Sequence, residues 1–115
     1  MKIYTDGSGK TGKYCFFVDQ THELRLFQKD GITNNESEYL AIIQTLKIID
    51  NKNISIYSDS QLIVNQLNKK WKIKEKRLKI LAEQVWSLSR DRNINFVWIP
   101  REQNIAGKIL ERYSK

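Results

Sequence analysis

The sequence predicts one α/β domain in which helices pack over a mixed β-sheet. Three β-rich runs come first along the chain, and strand-like and helical runs alternate after them. An antiparallel meander followed by such an alternation implies a sheet of mixed direction covered by helices. The chain has 115 residues, the usual size of one domain, and we expect a single domain over residues 1–115.

Three short runs rich in β-branched and aromatic residues predict the meander. The first, at residues 3–5, stops at the loop-forming residues 6–9, and the second occupies residues 13–18. The third alternates apolar and polar side chains over residues 23–28. Periodicity then predicts four helices, at residues 36–49, 62–67, 78–88 and 105–113. It also predicts two further strands, at residues 53–57 and 94–99.

Most of the net charge of +7 lies in one short stretch, residues 69–79, which we call the basic segment. It holds seven Lys or Arg residues against Glu75 alone, a net charge of +6, with Trp71 among them. A concentrated basic patch with an aromatic residue is typical of proteins that bind a polyphosphate. A solvated helix face is the alternative. We expect nucleic-acid contacts from Lys70, Trp71, Lys72 and Lys74.

The apolar runs are only a few residues long, so the sequence predicts no transmembrane helix and no secretory segment. A cytoplasmic location without a membrane partner is the resulting expectation. The single cysteine, Cys15, lies inside an apolar run. It is expected to be a buried strand thiol without a functional role.

Three carboxylates are candidates for a shared site. Asp6 and Asp59 each occur where a strand runs into a small-residue turn, and sites in open sheets are usually assembled at such strand ends. Either could instead be an ordinary turn or cap residue. Glu38 lies one turn inside a predicted helix, where its spacing from Asn35 also fits a capping box.

Four segments resemble the motifs of the type I ribonuclease H family, in order and over essentially the whole chain. They are Tyr4-Thr5-Asp6-Gly7-Ser8, Thr33-Asn34-Asn35-Glu36-Ser37-Glu38-Tyr39, Tyr57-Ser58-Asp59-Ser60-Gln61 and Trp98-Ile99-Pro100-Arg101-Glu102-Gln103-Asn104. The resemblance implies a mixed five-stranded sheet, with three antiparallel and two parallel strands. It also implies an endonuclease that hydrolyses the RNA strand of RNA/DNA hybrids. We expect it to be a monomer and to need no organic cofactor.

The same resemblance implies a two-metal-ion mechanism with Mg²⁺, or with Mn²⁺ in its place. Asp6 would bridge both ions, while Glu38 and Asp59 would each complete one ligand shell; carboxylate oxygens suit such hard cations. The implied contacts to the hybrid come from backbone and from small polar side chains, some of them reading the 2′-hydroxyl that distinguishes RNA from DNA. These residues are Gly7, Ser8, Thr33, Asn34, Asn35 and Gln61.

The sequence departs from the family at a fourth carboxylate, expected in an Asn-x-x-Ala-Asp pattern. The run Asn104-Ile105-Ala106-Gly107-Lys108 has Lys108 at that position, or Gly107 if the preceding loop is one residue shorter. Glu111, on the same helix face as Lys108, is our candidate for a replacement catalytic carboxylate. The alternative is a catalytically weak or inactive hybrid-binding domain, for example one accompanying a reverse transcriptase. Another nuclease or recombinase of the same fold is a third interpretation.

Overall fold

The sheet has five strands in the order β3-β2-β1-β4-β5, in a computed structural model that describes residues 1–113. The neighbours β1–β2 and β2–β3 are antiparallel, whereas β1–β4 and β4–β5 are parallel. This confirms the predicted mixed sheet and element order. The elements are β1 (Lys2–Gly7), β2 (Lys13–Val18), β3 (Leu24–Gln28), α1 (Asn34–Ile48), β4 (Asn53–Ser58), α2 (Gln61–Leu67), α3 (Lys76–Leu88), β5 (Asn93–Trp98) and α4 (Ile105–Tyr113).

The two faces of the sheet are covered by different helices. Side chains alternate across a strand, so in β2 Phe16 joins the main core with Tyr39 of α1, while Cys15 packs with Leu110 of α4 on the other side. Cys15 is fully buried, as the sequence predicted, and burial raises the pKa of its thiol to about 12. The described helices include none that is both long enough and apolar enough to cross a membrane.

Helix α1 begins two residues earlier than its apolar periodicity predicted. Its N-cap is Thr33, whose hydroxyl accepts a hydrogen bond from the Glu36 backbone N–H at 3.1 Å. The Glu36 carboxylate in turn accepts from the Thr33 backbone N–H at 3.0 Å, which completes a capping box. Polar cap residues carry no hydrophobic period, so periodicity alone placed this boundary too late.

The parallel pairing of β1 with β4 brings the carboxyl ends of both strands to one edge of the sheet. Asp6 is the next-to-last residue of β1, and Asp59 directly follows β4. Gly7 lets this edge approach the start of α1, because a Cβ at Gly7 would lie 2.6 Å from Ser37 Oγ. The fold therefore directs β1, β4 and the first turns of α1 toward one point.

Candidate active site

Three carboxylates meet at this edge of the sheet. Asp6, Glu38 and Asp59 each offer a carboxylate oxygen, and the three oxygens lie within 4.8 Å of one another. Asp6 is 3% exposed and Glu38 is 9% exposed, so two of the three groups are nearly removed from water. The structure thus brings together the three carboxylates that the sequence predicted to be catalytic and metal-binding.

Glu38 does not cap its helix, which corrects the alternative interpretation of its spacing from Asn35. The cap is supplied by Thr33 and Glu36. Glu38 lies further into α1, and its Oε1 atom is buried without a hydrogen-bond partner among residues 1–113. A buried, unpartnered carboxylate oxygen is costly unless something else binds it.

The electrostatics of the cluster favour a cation. Burial raises the pKa of Glu38 well above its usual range, and the negative charges of Asp6 and Asp59 raise it further. Burial also raises the pKa of Asp6, although the nearby Arg101 guanidinium opposes that shift. A bound divalent ion would stabilise all three groups in their ionised form, because hard cations prefer carboxylate oxygens. The donor set therefore fits the metal that the resemblance implied.

Arg101 is a site residue that was not predicted from the sequence. Its Nη1 donates to Asp6 Oδ2 at 3.0 Å and to Asp59 Oδ2 at 2.9 Å. Its Nη2 lies 3.4 Å from Oε1 of Glu111. The only available signal was a basic residue in the loop after the last strand, and nothing local indicates that it reaches β1.

Asn104 orients Asp59 and was likewise not predicted as a site residue. Its side chain is fully buried, and Nδ2 donates to Asp59 Oδ2 at 2.8 Å and to the Thr5 carbonyl at 3.0 Å. One amide group therefore ties the last loop to both β1 and the turn after β4. Its presence in the Trp98–Asn104 motif was the signal that could have identified it.

The structure shows which residue faces the cluster where the family has its fourth carboxylate. A Cβ added to Gly107 would lie 3.4 Å from Asp6 Oδ2, so Gly107 faces the cluster, whereas Lys108 is exposed. Glu111, one turn further along α4, lines the cleft with Asp6 and is 62% exposed at its side chain. It faces Arg101, and its role as a replacement carboxylate stays a prediction.

The cleft above the cluster has a volume of about 480 Å³. Four of the residues expected to bind nucleic acid line it: Gly7, Ser8, Asn34 and Asn35. Thr33 is the N-cap of α1, next to this wall. Gln61 is the first residue of α2; its side chain is exposed, and it is not among the residues that line this cleft in the described part of the chain.

The basic segment borders a second cleft, of about 640 Å³. Trp71 is 48% exposed, so it is available to a ligand and does not belong to the core. Trp86 also lines the cleft, and its ring lies 4.8 Å from Lys69 Nζ. The other lining residues are Gln66, Lys70, Lys72, Ile73, Lys74 and Lys79. The four residues of the basic segment that were predicted to bind nucleic acid thus share one surface.

Several known proteins resemble this chain in sequence and in fold. The profile of the family described as "Reverse transcriptase-like" matches residues 16–110. A protein named ribonuclease H from Syntrophus aciditrophicus is 32% identical over 126 aligned positions, which cover 89% of this chain and 70% of the relative. The crystal structure of LC11-RNase H1 in complex with an RNA/DNA hybrid superimposes with a TM-score of 0.78 at 25% identity, covering 99% of both chains.

The chain belongs to the reverse transcriptase-like family and is a domain of the type I ribonuclease H kind. A further relative, the bifunctional protein Rv2228c of Mycobacterium tuberculosis, is 36% identical over 76 residues. That match covers 63% of this chain and 21% of the relative, so the chain spans about a fifth of the length of the mycobacterial protein.

Proposed function

We propose that this domain is an endonuclease that hydrolyses the RNA strand of RNA/DNA hybrids with the help of divalent ions. The observation that carries the proposal is the convergence of Asp6, Glu38 and Asp59, with a buried Glu38 oxygen that has no partner among residues 1–113. The relative from Syntrophus aciditrophicus is named ribonuclease H, and the structural neighbour was crystallised with a hybrid.

Asp6, Glu38 and Asp59 would together hold two Mg²⁺ ions, or Mn²⁺ ions in their place, and Asp6 would be the ligand common to both. Such a pair, when bound, supplies an activated water on one side of the scissile phosphate and neutralises the leaving oxygen on the other. The protein contributes the ligands and their orientation. Asn104 holds Asp59 by a 2.8 Å hydrogen bond, and burial restrains Asp6 and Glu38.

The walls of the cleft would hold the hybrid. Asn34 and Asn35 offer amides that donate and accept hydrogen bonds, while Gly7 and Ser8 would face the 2′-hydroxyls. The Thr33 hydroxyl accepts from Glu36 and keeps its hydrogen, which it could donate to a phosphate. Gln61 would contact the hybrid from the start of α2.

The direct test incubates the chain with end-labelled RNA/DNA hybrid, double-stranded RNA and double-stranded DNA, in Mg²⁺, Mn²⁺ or chelator. We expect cleavage of the RNA strand of the hybrid alone, and only with metal. Binding of the hybrid without cleavage in either metal would contradict the proposed activity and support a hybrid-binding domain. Cleavage in chelator would contradict the metal requirement.

The basic segment should strengthen hybrid binding by contacting phosphates. Changing Lys70, Lys72 and Lys74 to Ala should weaken binding and reduce the slope of log affinity against log salt, by roughly one unit for each lysine that touches a phosphate. The measurement is a binding titration at several salt concentrations. The matched control changes three exposed lysines that do not line this cleft, Lys2, Lys47 and Lys52. Equal salt slopes for both triple variants would identify the segment as a solvated face.

A further inference from the structure

The guanidinium of Arg101 binds the same atoms that a metal ion would need. Its Nη1 contacts one oxygen of Asp6 at 3.0 Å and one oxygen of Asp59 at 2.9 Å. Divalent magnesium binds carboxylate oxygens at about 2.1 Å. An ion on these two oxygens would therefore be crowded against Nη1, and the two positive charges would repel each other at close range.

Gly107 provides the space that Arg101 fills. A Cβ at position 107 would lie 2.7 Å from Arg101 Nη1, closer than such atoms can pack, and 3.0 Å from Cζ. Any side chain here would push the guanidinium away from Asp6. Gly107 therefore offers no carboxylate to a metal ion, and its lack of a side chain leaves space for the guanidinium of Arg101.

The side chain of Arg101 is placed so that it can move away from Asp6 and Asp59. It lies in a short 3-10 turn at Arg101–Gln103, and its side chain is 49% exposed. Glu111 offers a second partner, with Oε1 3.4 Å from Nη2 and a side chain that is 62% exposed. Glu111 lies on α4, outside the cluster of three carboxylates. A guanidinium displaced from Asp6 and Asp59 would remain paired there.

We infer that Arg101 is an internal cation that competes with divalent metal for Asp6 and Asp59. Arg101 therefore sets the metal concentration at which the carboxylate site becomes occupied. The inference rests on the proposed metal-dependent function. In the metal-free protein Arg101 offsets part of the negative charge of the cluster. As metal binds, Arg101 moves toward Glu111. Because the pairing of Arg101 with Asp6 and Asp59 stabilises the metal-free site, it raises the metal concentration needed to occupy that site.

The test is a calorimetric titration of the metal-free chain with Mn²⁺ and with Mg²⁺. Arg101→Gln removes the competing charge, and Gly107→Ala displaces it without changing the net charge. Both variants should bind metal about tenfold or more tightly than the unaltered chain. Arg25→Gln, which removes an exposed arginine paired with Glu23, is the control for net charge and should bind like the unaltered chain.

Thermal unfolding, first in chelator and then in Mg²⁺, is a second readout that does not require cleavage. In chelator, Arg101→Gln should lower the melting temperature more than Arg25→Gln does, because it leaves the carboxylates without their cation. Mg²⁺ should then raise the melting temperature of Arg101→Gln more than that of the unaltered chain.

Unchanged or weaker metal binding by both Arg101→Gln and Gly107→Ala would overturn the inference. The proposed function would stand if the unaltered chain still bound metal and cleaved the hybrid. Absence of metal binding by the unaltered chain and by both variants would overturn both. If Arg101→Gln fails to fold, Gly107→Ala decides alone, since alanine suits the helix and its close contacts are mainly with the end of a flexible side chain.

Discussion

If Asp6 is the metal ligand proposed above, Asp6→Asn will reduce hydrolysis of the RNA strand by at least about a thousandfold, because the loss of that ligand removes several kcal/mol of transition-state stabilisation. The amide keeps the shape of the side chain but not the charge that holds the cations. Hybrid affinity should change little, since the cleft walls and the basic segment are untouched. The measurements are single-turnover cleavage in Mg²⁺ and hybrid binding in chelator.

The control for Asp6→Asn is Asp30→Asn, which makes the same chemical change at an exposed residue after β3. It should cleave at the rate of the unaltered chain. A folded Asp6→Asn protein that cleaves nearly as fast as its parent would eliminate Asp6 as a metal ligand. Equal loss in both variants would indicate a general effect of charge on binding.

Glu38→Gln should abolish cleavage and, in chelator, leave the protein as stable as its parent or more stable. The buried Glu38 carboxylate faces Asp6 and Asp59, so a neutral amide relieves repulsion in the metal-free state. A helix cap would behave differently, since its loss costs about 1 kcal/mol of stability with little change in rate. Denaturant unfolding and cleavage rates, measured on the same preparations, separate the two roles.

The stabilising effect of Glu38→Gln should grow with pH. The pKa of Glu38 in the folded chain is raised well above its ordinary value of 4.5, so the folded state binds more protons than the unfolded state between those two pKa values. The free energy of unfolding of the parent therefore falls as pH rises through that window, and Glu38→Gln removes this contribution. Denaturant unfolding of the parent and of Glu38→Gln in chelator, from pH 4 to pH 8, measures how the difference in their stability changes with pH.

Glu83→Gln, at an exposed position of α3, is the matched control. The difference between its free energy of unfolding and that of the parent should not grow with pH. A constant stability difference between Glu38→Gln and the parent across the pH range would contradict a buried, proton-binding Glu38. Added Mg²⁺ should reverse the order of stability, because only the parent retains all three carboxylates.

Element order, the mixed sheet and the three carboxylates could all be predicted from the amino-acid sequence. Hydrophobic periodicity is a local property, so β2 and α4 were predicted at their observed bounds, Lys13–Val18 and Ile105–Tyr113. Asp6 and Asp59 were recognisable because each lies at the end of a strand within a motif. Glu38 needed the resemblance, since its spacing fitted a cap equally well, and the structure resolved the ambiguity by assigning the cap to Thr33 and Glu36.

The surroundings of those carboxylates, in contrast, depend on tertiary packing. Arg101 reaches Asp6 across 95 positions of sequence, and Asn104 reaches Thr5 across 99. No periodicity or motif spacing encodes such contacts, because they depend on how α4 packs against β1. The same packing decides that Gly107, and not Lys108, faces Asp6. Whether a helix residue points at a site depends on the rotation of the helix about its axis, and a shift of one residue turns it by about 100°.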